Sequence, residues 1–332
     1  MMNDVNQLPF EVEKLESREM LAGDVDVIVR DGDVFVLGDS QDNSIEVSLD
    51  INGGLVVTGL DGTTVNGGET GIVANNLTIR MRGGDDTVVV QTDPNLDITS
   101  NELSIFGNAG DDRIELKCGV GGKTDIRTGA GENFVFTENF FPQDDVSISG
   151  GCYRDEIRLT MVQATNVHFD VKTRGGADIV DVISSNFNSL NLQTGGGGDA
   201  VRVAAEGIGN PLQVSIAGES SIALGAGSDA LETNFSSLFS FGHPAQDNPN
   251  SVDDRPIAMA ASAGRTVESL ISPIISMDPF LVFASPDATL TVSGQGGNDS
   301  LVVNGNSASS ASASSLGRAV SFDAFESGDA GN

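Results

Sequence analysis

Nine times along the chain an aliphatic residue is followed, seven positions later, by Asp or Asn closing a polar turn. The pairs are Val36/Asn43, Ile79/Asp86, Ile105/Asp112, Ile126/Asn133, Ile148/Asp155, Val171/Asp178, Leu192/Asp199, Ile222/Asp229 and Val292/Asp299. Two positions before the Asp or Asn the residue is glycine in every copy except those with Gln41 and Tyr153. Apolar residues also recur two places before the aliphatic position (Val34, Leu77, Leu103, Val146) and at the second and fourth places after the Asp (Ile45/Val47, Val88/Val90, Ile114/Leu116). Alternation at period two is the signature of a half-buried strand. Each unit therefore reads as strand, tight turn, strand. The turn favours glycine because left-handed backbone costs other L-residues energy, with Asn and Asp the best substitutes.

From Asp86 to Asp199 successive Asp or Asn positions are 26, 21, 22, 23 and 21 residues apart. Recurrence at that length signals a stacked repeat. It predicts an all-β chain, a parallel β-helix (β-solenoid) of about 21–26 residues per coil, with its apolar columns stacked into one core. Antiparallel hairpin stacks compete with that reading, and a propeller blade needs about twice the length. One copy is ambiguous in register: near Asn133, Phe134 and Phe136 alternate as well as Val135 does, which a bulge would explain. Between Asn43 and Asp86 a coil's worth of sequence lacks a clear copy, and Leu55 and Val57 are expected to carry a degenerate one.

The repeat divides the chain. Residues 1–23 hold Pro9, Phe10, Val12, Leu15, Met20 and Leu21 among charged residues with Gly23 behind them, the pattern of a short N-terminal capping helix. Residues 24–235 form the regular solenoid, 236–285 an irregular insertion with proline and polar punctuation, and 286–304 a terminal solenoid coil. Residues 305–332 are a Ser/Ala-rich acidic tail expected to be disordered. The apolar stretch from Leu270 to Phe283 is interrupted by Pro273, Asp278 and Pro279, so no membrane span is expected.

With 48 acidic against 17 basic residues the formal charge is −31, which argues against nucleic acid or an anionic membrane as partner. It favours cations or cationic partners, or a surface simply solvated by carboxylates. Cys118 and Cys152 lie in different columns about one and a half rungs apart, too far for a disulfide. The outward Arg113, Arg158 and Arg202 are placed to meet carboxylates on a lateral face, an arrangement that fits a polysaccharide lyase and, more commonly, weak surface pairs. His168, beside Asp170, and His243, in the insertion, are isolated from any nucleophile signature, so no catalytic residue is assigned. The Gly195–Gly198 run joins two strands and does not open a helix, so it is no phosphate loop.

Two resemblances add to this reading. Leu15-Glu16-Ser17-Arg18-Glu19-Met20-Leu21 resembles the LEPR-XLL motif near the start of many large bacterial extracellular proteins, with Ser17 in place of its proline and Met20 in place of a leucine. That resemblance implies export or surface display. Gly107 to Ile114 and Gly294 to Leu301 resemble the hemolysin-type (RTX) calcium repeat, GGxGxDxUx. It implies calcium held between stacked turns by Asp112 and Asp299, and by extension Asp86, Asp178, Asp199 and Asp229. The family repeats every nine residues and has metal turns on both sides of its coil, whereas this chain has one turn per coil and Asn at 43 and 133. Stacked Asp residues a rung apart, ~4.8 Å, repel by about 1 kcal/mol in water and about 3.5 kcal/mol at an effective dielectric of 20, which a cation relieves. The competing role is plain turn closure, the carboxylate accepting local backbone N–H groups.

The expectation is a non-enzymatic extracellular or cell-surface β-solenoid, a surface, matrix or adhesion scaffold whose partners are calcium and cell-surface or matrix components. The alternatives are a glycan-active lyase or hydrolase, and a module that binds its partner through the insertion.

Overall fold

The computed structural model describes residues 23–93, 96–204, 214–216 and 219–233, together with strands at 281–283, 289–293, 300–302 and 311–314. The N-terminal helix expected over residues 1–23 and the Asp299 turn lie outside the described residues.

Among the described residues the architecture is all-β and is a parallel β-solenoid. Its N-terminal end is built from β1 (Asp24–Arg30), β2 (Asp33–Leu37), β3 (Ser44–Leu49), β4 (Leu55–Gly59) and β5 (Thr64–Asn66). Thereafter the coils alternate between two long sheets. The first takes β6 (Ala74–Arg80), the second β7 (Thr87–Gln91), and so on through β8 (Thr99–Ala109) and β9 (Arg113–Lys117). The short β10 (Gly119–Val120) precedes β11 (Lys123–Ala130) and β12 (Phe134–Glu138), and β13 (Phe141–Pro142) pairs with β10 in a third, two-stranded sheet. The alternation continues with β14 (Val146–Ser149), β15 (Glu156–Thr160), β16 (Gln163–Lys172), β17 (Ile179–Ile183), β18 (Asn186–Gln193) and β19 (Ala200–Ala204). It ends with β20 (Val214–Ile216), β21 (Glu219–Ala223) and β22 (Ala230–Thr233).

Registers are uniform. In the first sheet Val36, Ile79, Ile105, Ile126, Ile148, Val171, Leu192 and Ile222 stack in one column. In the second, Ile45, Val88, Ile114, Val135, Ile157, Val180, Val201 and Leu231 do the same. Both columns are buried and belong to one continuous core. The alternation read in the sequence is thus the in-out alternation of a sheet with one wet face. Val135 and Thr137 point inward while Phe134 and Phe136 lie outward, so the Asn133 coil carries no register shift.

The degenerate coil expected at Leu55 and Val57 is instead an antiparallel hairpin: β4 pairs with β3, Val47 opposite Val57 and Leu49 opposite Leu55. Residues 50–54, with Gly53 at φ 82°, supply the reversal. β1 pairs antiparallel with β2 in the other sheet. Both sheets therefore finish at this end on antiparallel strands with β5 beside β1, closing a core that would otherwise be open at the first rung.

At the other end Thr289–Ser293 and Ser300–Val302 extend the two sheets in parallel. Within the insertion, Leu281–Phe283 pairs with β20, and within the Ser/Ala-rich run Ala311–Ser314 pairs with Thr289–Ser293. No described helix is long and apolar enough to cross a membrane. Both cysteines are free, Cys118 buried and Cys152 exposed, and burial pushes the Cys118 thiol up.

Candidate functional site: the stacked Asp turns

The turns between the two sheets stack directly on one another, and this packing explains the glycine column. Gly110, Gly131, Gly176 and Gly197 all have left-handed φ between 129° and 145°. A Cβ on Gly131 would run into the carbonyl of Gly110, and one on Gly197 into that of Gly176. Positive φ and close backbone approach thus act on the same residue.

The Asp and Asn of the sequence repeat do not face solvent. Asn43, Asp86, Asp112, Asn133, Asp155, Asp178, Asp199 and Asp229 are all at most 3 % exposed. Each Oδ1 after the first accepts a hydrogen bond from the backbone N–H of its counterpart one coil earlier. The Asn43 amide donates to Asp86 at 2.8 Å, Asp86 to Asp112 at 3.0 Å, and Asp112 to Asn133 at 3.0 Å. Asn133 donates to Asp155 at 3.3 Å, Asp155 to Asp178 at 2.8 Å, Asp178 to Asp199 at 2.9 Å and Asp199 to Asp229 at 2.9 Å. Turn closure within one coil, the competing sequence reading, is therefore replaced by a ladder between coils. Asp155 does both, since its Oδ2 accepts the Gly151 amide at 2.7 Å.

A second ladder, which the sequence reading did not single out, runs in the opposite direction on the exposed residue just before. The Asp85 amide donates to Asp42 Oδ1, that of Asp111 to Asp85 Oδ1 at 2.8 Å, and that of Glu132 to Asp111 Oδ1 at 2.7 Å. The coils from Asn43 to Asn133 are thus clamped reciprocally, each turn there carrying two acidic or amide residues in succession. The doublets Asp85-Asp86 and Asp111-Asp112 were the available signal. From Arg154 onward the outer position is no longer acidic, and only the inner ladder continues.

Electrostatics divides the inner ladder. Burial, with Asp112 as a charged neighbour, lifts Asp86 to about 7; burial, with Asp85 and Asp111 nearby, lifts Asp112 to about 7. Asp178 is raised to about 6 by burial and by Asp199 and Asp155, against hydrogen bonds from Thr173 and the Asp155 amide. Burial also raises Asp155, opposed by bonds from Asn133 and Gly151. The Oδ2 atoms of Asp86, Asp112 and Asp199 have no hydrogen-bond partner. In the two Asn copies the second side-chain atom is an NH₂ that donates to the carbonyl two residues back, to Gln41 at 2.7 Å and Gly131 at 2.9 Å. A proton on Oδ2 supplies a donor where both Asn residues already carry one, so the neutral carboxyl is the form this environment favours.

The sequence-predicted metal ligands Asp86, Asp112, Asp178, Asp199 and Asp229 are therefore brought into one buried column, one per rung. Among the described residues no group of three or more His, Cys, Asp or Glu side chains converges to hold a metal. A cation here would draw on one or two carboxylates and complete its oxygen shell with turn carbonyls.

The lateral arginines meet carboxylates as expected. Arg113 pairs with Glu115 at 2.5 Å, Arg158 with Glu156 at 2.9 Å, and Arg202 with Asp181 through Nε at 3.0 Å and an Nη at 2.9 Å. Glu115, despite its burial, is held below the usual carboxylate range by Arg113 and Lys117. Phe134 and Phe136 stack at 6.3 Å between these cations, with the Arg113 guanidinium 4.4 Å from the Phe134 ring. His168 is exposed on the other sheet, its backbone N–H donating to Asp145. A shallow groove of about 410 Å³ lies near the N-terminal end of the second sheet against Asp50, Gln91 and Lys117.

Fold and site together define a parallel β-solenoid whose turns are cross-linked by amide-accepting carboxylates. No family model matches the chain, and no match is found among curated proteins or solved structures.

Proposed function

We propose that the chain is a non-enzymatic scaffold, an extracellular β-solenoid displayed at a surface or in a matrix and used for adhesion. The observation that carries this is the unbroken side-chain ladder from Asn43 to Asp229. The carboxylates that the repeat offers as chemistry are spent on binding coil to coil, which suits a rod that must persist without a cell's maintenance. The LEPR-XLL-like start supports the location.

Calcium belongs to the same proposal as a competitor of the proton. The unpartnered Oδ2 atoms of Asp86 and Asp112 need either a proton or a cation, and Asp42, Asp85 and Asp111 add an exposed acidic column beside them. The test is thermal melting and calorimetric titration at pH 8 with Ca²⁺ or EGTA at matched ionic strength. Calcium is expected to raise the melting temperature at pH 8 and, in a parallel titration at pH 6 where Asp86 and Asp112 are mostly protonated, to release protons; an unchanged melt and no binding heat would sink the calcium claim. Release of reducing ends from acidic or neutral polysaccharides would replace the scaffold reading with an enzymatic one.

A further inference from the structure

The cations of this acidic chain are unevenly used. On the second sheet Arg113, Lys117, Arg158 and Arg202 are each paired with carboxylates. Along the edge where the first sheet meets the Asp turns, Arg80, Arg82, Lys172 and Arg174 are exposed; Arg154 is exposed across the turn, at the outer position that Asp85, Asp111 and Glu132 hold in earlier coils; none of these cations makes an ion pair with a described residue. Arg127, in the same row, is bound to Asp125 at 2.8 Å yet keeps 61 % of its side chain exposed.

Strand register places these residues in line. Arg80, Phe106, Arg127, Ser149, Lys172 and Gln193 occupy one outward column. The Phe106 ring lies between two guanidinium groups, 4.8 Å from that of Arg80 and 5.6 Å from that of Arg127. Two residues further along, five of the six turns hold a left-handed position: φ is 77° at Arg82, 79° at Asn108, 101° at Gly129, 73° at Arg174 and 95° at Gly195, with Gly151 the exception. An L-residue there costs about 1 kcal/mol over glycine. Two coils accept that cost to present an arginine, a strain that points to use of the side chain. Tyr153, 58 % exposed, is the single tyrosine of the chain, and Gly176 packs against its carbonyl. Gly175, Gly196 and Ala226 form backbone bridges from coil to coil in the turns that follow.

We propose that this edge binds an anionic polysaccharide, laid along the rung direction with its carboxylate or sulfate groups on these exposed cations and sugar faces on Tyr153. The row spans five coils from Asp86 to Asp178, about 19 Å at the rung spacing, the footprint of a polymer and not of a single ion. Nucleic acid is a poorer fit, because its dense charge meets long-range repulsion from a chain of formal charge −31. A more sparsely charged glycan meets less, and the exposed aromatic ring offers it an apolar face. The proposal rests on the scaffold reading for its extracellular setting.

The test is affinity electrophoresis of the full chain through gels containing polygalacturonate or neutral dextran, at low and high salt. Retention by polygalacturonate alone, weakened by salt, is expected. Lys172→Ser with Arg174→Gly places in this coil residues that other coils carry in the same columns, so the fold should hold while affinity falls at least tenfold. Arg80→Gln with Arg154→Gln is a second pair with the same expected loss, and Arg113→Gln is the control that should bind like the parent. Undiminished binding by both pairs, equal retention on dextran, or no retention would overturn the proposal. So would a dimer in sedimentation that the first pair dissolves, since the edge would then serve a second copy. Reducing-end release from bound polygalacturonate would retire the scaffold reading and leave the binding proposal standing.

Discussion

At the residue scale the inner ladder makes stability a function of pH, and the sign follows from the direction of the shifts. Asp86 and Asp112 sit at about 7 in the folded chain, against about 3.9 for an unperturbed Asp. The folded state therefore holds protons that the unfolded state has released. This contribution is full below pH 4, declines as pH rises from 4 to 7, and is gone above that. Asp112→Asn removes one titrating group yet keeps an Oδ1 for the Asp86 amide, and Asn133 shows that the column accepts an amide. The variant is expected to be more stable than the parent by about 1–3 kcal/mol at pH 8, with little change at pH 4. Urea melts at the two pH values check it; an equal gain at both would show that titration is not the cause. Asp112→Ala, which leaves the Asp86 amide without an acceptor, is expected to be less stable than Asp112→Asn by about 1–3 kcal/mol at either pH.

At the element scale the turn and strand differ in how legible they were. The in-out alternation of Val88/Val90 or Ile114/Leu116 is local, so the sequence carried the strand faces and the coil length directly. Where Asp112 points is not local: its partner amide lies 26 residues back, and only the stacked register joins them. The same reason hid the exposed ladder of Asp42, Asp85 and Asp111, whose acceptors serve amides one coil later. The hairpin at Leu55 was misread because period-two alternation is identical in parallel and antiparallel strands. Glycine at the turn was read from its φ alone, while the structure adds the contact across coils. Gly131→Ala tests that addition: left-handed strain and the clash with the Gly110 carbonyl together should cost about 2–5 kcal/mol. Asn108→Gly, at φ 79° in the column of Gly129, should by contrast be neutral or mildly stabilising. Equal losses from the two substitutions in chemical denaturation would show that inter-coil contact is not what selects glycine.

At the scale of the whole molecule the solenoid is a stack in one dimension, in which each coil touches its neighbours and repeats their register. A coil can then be removed if the columns realign. Deleting residues 156–178, which comprise β15 and β16, joins Asp155 to Ile179. β14 would then pair with β18, β12 with β17, and the Asp155 amide would meet Asp199 in place of Asp178. A folded β-sheet spectrum and a melting temperature lowered by roughly 5 °C are expected, since one coil interface is lost and the rest are kept. Deleting residues 157–178 leaves one residue more and is a far harsher change. It slips β17 by one position and turns Val180 and Val182, both buried, toward solvent. That shorter deletion should fail to fold cooperatively or should aggregate. If both deletions melt alike in circular dichroism, the columns are not what fixes the register; if only the 23-residue deletion folds, the repeat length itself is the unit of stability.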